Sequence, residues 1–326
     1  RLAFRGIQTF RSSFPTNLST RVGDNFFPLG WMTTGWHMAR LTRAEKLAQQ
    51  AFGDFAPPSA KALHRLMAPM RAWFSPQFYG LASLDLSRPA LFVGNHALFS
   101  IDAGLMLDHL YTHYGVLPRS LGDHLHFRIP GWGQAVTDYG GVEGTPENCS
   151  ELMRRGESIL VFPGGAREVN RRKSDRYEVI WKQRTGFARL AIEHGYDIIP
   201  FASVGANESY EIVLDADDVR SSRLWQWLDR GGRLNKLMRD GDLLSPVVRG
   251  IGPTLLPRPQ PFYFAFGERI STLPWQDDAL SQSSLWAVRE QTERAIHSLM
   301  AQLQVQRQID QPSWSAWRRW LAPIQN

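Results

Sequence analysis

His96 and Asp102 are spaced for proton transfer, with five residues, Ala97 to Ile101, between them. An imidazole has its ordinary pKa near neutrality and can take a proton at physiological pH. A carboxylate this close in sequence can orient the ring and stabilise its charged form. Such pairs also arise by chance, so this one implies a general base only if a reacting centre lies nearby. The run Val161-Phe-Pro-Gly-Gly-Ala-Arg-Glu168 offers one. Adjacent glycines, Gly164 and Gly165, let a backbone approach a ligand closely, and their N–H groups could hold the negative charge that forms when a carbonyl is attacked. A plain strand-ending turn is the commoner meaning of Gly-Gly by itself.

Both groups need rigid carriers. The apolar run from Leu91 through Gly94 and Asn95 predicts a buried strand that delivers His96 to a sheet edge, with a helix over Ala103–Tyr114 behind it. Ser158–Phe162 reads as a second buried strand feeding Pro163. Thr145 is spaced as the N-cap of a helix that begins at Pro146 and ends at Gly156. A helix over Gly186–His194, a strand over Asp197–Phe201, a strand over Phe262–Phe266 and a long helix through Leu285, Val288, Thr292, Ile296, Leu299 and Leu303 complete the pattern. The alternation predicts an α/β fold: a central, largely parallel sheet flanked by helices, with N-terminal and C-terminal helical additions. The expected divisions are a basic, aromatic and helical region over 1–80, a catalytic domain over 81–275, and a helix with a Trp/Arg tail over 276–326. In the first region Leu41, Ala44, Leu47, Ala48, Ala51 and Phe52 share one helical face, and Leu63, Leu66, Met67, Met70 and Phe74 another. Between Asp215 and Arg258 the pattern loosens: Leu224, Trp225, Trp227 and Leu228 stand beside Arg220, Arg223 and Arg230. A lipid-facing insertion and a helical hairpin that completes the fold both fit.

The chain has 326 residues, 43% of them hydrophobic, which is enough for a sizeable core; 12 Trp and 18 Phe are more large aromatics than that core needs. A net charge of +6 favours anionic partners, and no nucleic-acid motif accompanies it. The single Cys149 excludes an internal disulfide and fits a reducing compartment. The longest uncharged run, Asn25 to Ala39, falls short of the ~20 residues a spanning helix needs, so peripheral membrane contact is expected. Arg1 to Gly23 carries four arginines and no acid, like the tail of an organelle transit peptide or an ordinary basic surface segment. His109 with His113, and His124 with His126, have metal-pair spacing, but no cysteine or zinc-protease glutamate accompanies them; solvated histidines are the expectation and no metal is assigned.

Four blocks follow one another in order: Asn95-His96 with Asp102, Gly141-Val-Glu-Gly-Thr-Pro-Glu-Asn-Cys149, Val161 to Glu168, and Ile198-Ile-Pro-Phe-Ala202, with Phe266-Gly-Glu-Arg-Ile270 after them. This series resembles the glycerolipid acyltransferase family, the one related to bacterial lysophosphatidic acid acyltransferases. It looks most like the branch of the diacylglycerol acyltransferase type two enzymes and the acyltransferase halves of phytyl ester synthases. The resemblance implies transfer of a fatty acyl group from a thioester, most simply acyl-CoA as co-substrate, to a lipid hydroxyl, with no permanently bound cofactor. It makes His96 and Asp102 catalytic, and it makes Asn95, Gly144, Thr145, Phe162, Pro163, Gly164, Gly165, Arg167 and Glu168 oxyanion or substrate contacts. For Arg167 an internal ion pair is the competing reading. The basic cluster of Arg171, Arg172, Lys173 and Lys182, with Arg176 and Arg184, is the candidate for coenzyme A phosphates; a solvated charge run is the alternative. The common family form has four residues between histidine and aspartate, not five. Many members also carry an acceptor-phosphate arginine in the second block, where this chain has Gly144-Thr145-Pro146. Its absence points to a neutral acceptor such as diacylglycerol, monoacylglycerol or a long-chain alcohol, with lysophosphatidic acid as the alternative acceptor. A lipid hydrolase or thioesterase is a second alternative, although no Gly-x-Ser-x-Gly elbow is present. A non-enzymatic lipid binder is the third. The expected location is a membrane surface on its cytoplasmic side.

Overall fold

The structure is a computed structural model that describes residues 50–53, 55–278 and 281–322. The aromatic run near Phe26, the basic segment from Arg1 and most of the first amphipathic helix lie outside the described residues.

Seven strands form the main sheet: β1 (Gln77–Tyr79), β2 (Leu91–Gly94), β3 (Arg119–Gly122), β4 (Val142–Glu143), β5 (Ile159–Val161), β6 (Ile198–Val204) and β9 (Tyr263–Phe266). Their order is β1-β9-β6-β2-β5-β3-β4. All neighbouring pairs are parallel except β6 with β9. A separate antiparallel ribbon joins β7 (Glu211–Leu214) to β8 (Val247–Arg249). The helices are α1 (Ala60–Phe74), α2 (Ala103–Tyr114), α3 (His124–Arg128), α4 (Trp132–Asp138), α5 (Pro146–Arg154), α6 (Ala166–Val169), α7 (Gly186–His194), α8 (Ala216–Ser221), α9 (Arg223–Leu228), α10 (Arg233–Leu237), α11 (Gln282–Asp310) and α12 (Ala316–Leu321).

Parallel strands are buried on both faces and so read as unbroken apolar runs. Every residue of β2 and of β6 is buried. Successive side chains nonetheless divide between two cores. Leu91 and Val93 pack with Ile198, Ala202 and Val204 against α5, α7 and α11. Phe92 packs with Ile199 and Phe201 against α1 and α2. Thr145 caps α5 as expected, its hydroxyl accepting the Asn148 N–H at 3.1 Å, and such a cap is worth ~1 kcal/mol. Leu66, on the expected buried face of α1, is 53% exposed. It lines an apolar groove with Leu63, Met67, Leu107, Leu117 and Trp132, between α1, α2 and α4. The looser stretch after Asp215 is three short helices rising from the β7–β8 ribbon. The shared direction of β2, β3, β4, β5 and β6 brings the loops after all five strands to one edge, where ligands of α/β sheets bind.

Candidate active site

His96 is half-buried just beyond β2, and its main chain is held from both sides. Its N–H donates to Glu168 Oε2 at 3.1 Å. Its carbonyl accepts Arg171 Nη2 at 2.9 Å and Nε at 3.3 Å. The ring stacks on Phe162, with centroids 3.9 Å apart and planes 8° from parallel. Phe162 in turn meets the edge of Phe201 at 5.7 Å. Gly94 makes that support possible, because a Cβ there would sit 2.4 Å from the Phe201 ring. Burial first, and then the charges of Arg171 and His126, depress the His96 pKa to about 3. The imidazole is therefore neutral throughout the physiological range.

Ser100 Oγ is the polar group beside the ring, 3.2 Å from Nε2 and 3.5 Å from Nδ1. It lies in a turn where Phe99 and Ser100 both have positive φ, 57° and 55°, a conformation that costs side-chain-bearing residues free energy and concentrates at functional sites. Asp102 departs from expectation. It is buried at the start of α2, its Oδ1 has no hydrogen-bond partner, and among the described residues no hydrogen bond joins it to His96. Burial raises its pKa, against the pull of the Ser203 hydroxyl and of Arg171.

The loop after β5 is built around Glu168. Its fully buried carboxylate accepts the Ile180 N–H at 2.7 Å as well as that of His96, and burial pushes its pKa up. Gly164 packs on this carboxyl group so closely that a Cβ would fall 2.2 Å from the Glu168 carboxyl carbon. His96 and Gly164 thus border the same side chain. Gly165, with φ +52° and ψ −140°, donates its N–H to Phe162 O at 3.0 Å, so that amide is engaged in the turn. The Gly164 N–H, unlike that of Gly165, has no protein acceptor among the described residues. Arg184 Nη1 donates to the carbonyls of Pro163 and Gly164 at 2.7 and 2.8 Å, which fixes both peptide units.

Several expected substrate contacts are spent within the protein. Asn95, fully buried, donates to Ser203 O at 3.0 Å and accepts the Ser203 N–H at 2.9 Å, extending the β2–β6 pairing by one step. Arg167 is buried and forms an ion pair with Asp175 at 2.6 Å. Arg171 is not a surface cation: its guanidinium is buried and also bonds the carbonyls of Asp175 and Glu178. Arg172 pairs with Asp217, Lys173 with Asp218 and Lys182 with Asp242, so aspartates from distant segments neutralise the basic run. Arg171, Arg172, Lys173 and Arg176 still line a pocket of about 180 Å³ with Leu98 and Tyr210. Gly144 abuts Gly122, whose own neighbours are His126 and Phe127, and Thr145 is the helix cap. Among the described residues no hydrogen bond joins either to His96. Sequence reasoning missed Ser100, whose only signal is its place four residues after His96, and the clamp formed by Arg184, which reads as one more charge in a basic run.

Residues 75–204, from the end of α1 to the end of β6, match the family model described as Acyltransferase. This stretch of the chain is similar to the acyltransferase family. Phytyl ester synthase 2, chloroplastic, of Arabidopsis thaliana is 27% identical over 247 residues, which cover 71% of this chain and 34% of that one. The human DGAT1/2-independent enzyme synthesizing storage lipids is 28% identical over 156 residues, 48% of this chain and 46% of that one. This chain therefore spans about a third of the length of the plant relative and just under half of the human one. The crystal structure of the 1-acyl-sn-glycerophosphate (LPA) acyltransferase PlsC from Thermotoga maritima aligns with a TM-score of 0.41 at 14% identity, covering 74% of this chain and 80% of that one. The matched stretch contains His96, Asp102 and the whole Phe162–Glu168 loop. Among the described residues no helix is long and apolar enough to cross a membrane.

Proposed function

We propose that this domain transfers a fatty acyl group from acyl-CoA to the hydroxyl of a neutral lipid, working peripherally at a membrane surface. The observation that carries the reading is the neutral His96 imidazole set against the Glu168-braced loop with its free Gly164 amide. A ring nitrogen of His96 takes the acceptor's hydroxyl proton as the hydroxyl oxygen bonds to the thioester carbon. The carbonyl oxygen becomes the oxyanion that the Gly164 N–H stabilises. Collapse breaks the carbon–sulfur bond, and the departing thiolate takes the proton back from His96. Although the resting pKa is low, the nascent oxyanion beside the ring favours its charged form as the reaction proceeds. The base is thus unprotonated before the reaction and strengthened during it.

The apolar groove, about 270 Å³, reaches Gly104, two residues beyond Asp102, and suits a fatty chain. Support for a neutral acceptor comes from the internally neutralised cations and from the lack of an arginine at Gly144-Thr145. The names of the phytyl ester and storage-lipid relatives fit the same class. The test is incubation of purified protein with labelled acyl-CoA and each acceptor separately. Ester formed with diacylglycerol or a long-chain alcohol is the expected result. Product from lysophosphatidic acid alone would overturn the neutral acceptor, and free fatty acid alone would make the protein a thioesterase.

A further inference from the structure

The helices between β7 and β8 do not contribute to either core, yet both ends of this excursion are fastened to the segment that holds His96. At its start, buried Asp215 accepts the Lys173 N–H at 3.0 Å, and Asp217 and Asp218 pair with Arg172 and Lys173. At its end, buried Asp242 binds Lys182 at 2.5 Å, and its carbonyl accepts Asn170 Nδ2 at 2.9 Å. These partners lie within 170–182, the stretch in which Arg171 grips the His96 carbonyl. Between the anchors, α9 and α10 are tied by Trp225 Nε1 donating to Asn235 Oδ1 at 3.1 Å.

The tip so formed has an unusual surface. Leu224, Trp227, Leu228 and Leu237 are 68%, 58%, 55% and 67% exposed. Arg223, Arg230, Arg233 and Lys236 share the segment with them, exposed and without a carboxylate partner among the described residues. The one acid in 222–238, Asp229, spends Oδ1 on the N–H groups of Leu234 and Asn235. Large apolar side chains, one of them a tryptophan, in one segment with unpaired cations match the boundary between anionic headgroups and acyl chains. Arg167, Arg172, Lys173 and Lys182 of the site loops, by contrast, have aspartate partners.

We propose that residues 222–238 dock on an anionic bilayer surface and, through Asp215 and Asp242, hold the active-site mouth toward the lipid. The inference rests on the acyl-transfer reading only for the use of such docking, and the binding is measured separately. The probe is sedimentation of the full chain with phosphatidylcholine vesicles with and without phosphatidylserine. Wild type is expected to bind the phosphatidylserine vesicles, with loss in high salt. Arg230→Gln combined with Arg233→Gln should weaken binding roughly 30-fold, since each charge near the surface contributes about a fivefold factor. Trp227→Ala should weaken it about tenfold. Turnover with a water-soluble short-chain alcohol should be unchanged in these variants, which shows them folded. Equal vesicle binding by wild type and variants overturns the proposal. A shift of the variants from dimer to monomer with no change in vesicle binding overturns it too, and assigns the tip to a second copy. Variant-sensitive vesicle binding without any wild-type turnover would uphold docking while sinking the acyl-transfer reading.

Discussion

His96 is held by its peptide groups rather than by its ring. Glu168 takes its N–H, Arg171 takes its carbonyl, and Phe162 supports one face, which leaves the ring nitrogens to Ser100 and to substrate. Removing the base should cost ~10²–10⁴ in rate, so His96→Ala is expected to fall by that much in acyl transfer while its far-UV circular dichroism stays that of wild type. Near-wild-type turnover would dismiss His96 as the base. The depressed pKa makes a second prediction. An exposed histidine titrates near 6.5, whereas burial lowers this one to about 3, so as pH falls the unfolded chain binds the proton first and stability drains away across that interval. His96→Gln removes this contribution, while Asp102 and Glu168 titrate in both proteins and cancel in the difference. Between about pH 6.5 and pH 4 the Tm of the variant should therefore fall less steeply than that of wild type, by calorimetry. Parallel Tm profiles would mean the ring is not held neutral.

At the scale of the element, the β5–α6 loop works as one unit, because Gly164, Glu168 and His96 share a single carboxylate. Gly164→Ala would push a methyl group into Glu168, which cannot yield without releasing the N–H groups of His96 and Ile180. Activity should drop at least about tenfold from this displacement, as small misplacements at a reacting centre do. Glu168→Ala leaves the N–H groups of His96 and Ile180 without their acceptor, and a loss of roughly 1–3 kcal/mol for each buried group left unpaired is expected in chemical denaturation. A variant as stable as wild type would show that the carboxylate is dispensable to the loop. The carriers of this unit were legible in the sequence: β2, β5, β6 and β9 are apolar runs, and α2, α5, α7 and α11 have clear periods and caps. β1, β3 and β4 were not, since two to four residues carry no period. The fates of the polar residues were hidden for another reason. Arg171 reads as part of a solvated run because its acceptor is a carbonyl 75 positions away, and Asn95 reads as a site residue because its partner, Ser203, is 108 positions away. Local pattern tells which residues are charged, but not which distant peptide groups they will serve.

Across the whole molecule, the site lies where the two cores meet the edge of the sheet. One core, against α5, α7 and α11, fixes the sheet from behind. The other, against α1 and α2, is incomplete: Leu66 and Trp132 stay exposed over a groove that no described side chain fills. Gly104 on α2 comes near Met67 on α1, where a Cβ would lie 3.2 Å from the sulfur, so the helices close on each other at the end nearest Asp102. If a fatty chain lies here with its carboxyl end at His96, its length is read by the side chains toward α4. Ala135 is the smallest of those. Ala135→Phe should block the groove partway, and each methylene denied burial costs about 0.8 kcal/mol, so excluding three would lower kcat/KM for a long-chain donor roughly 50-fold. Donors short enough to stop before the new ring should be used as well as before. Measured across a series of acyl-CoA chain lengths, the optimum should therefore move to shorter chains. A uniform loss at every length would indicate a damaged fold, and an unchanged optimum would place the acyl chain elsewhere and leave the groove to the acceptor.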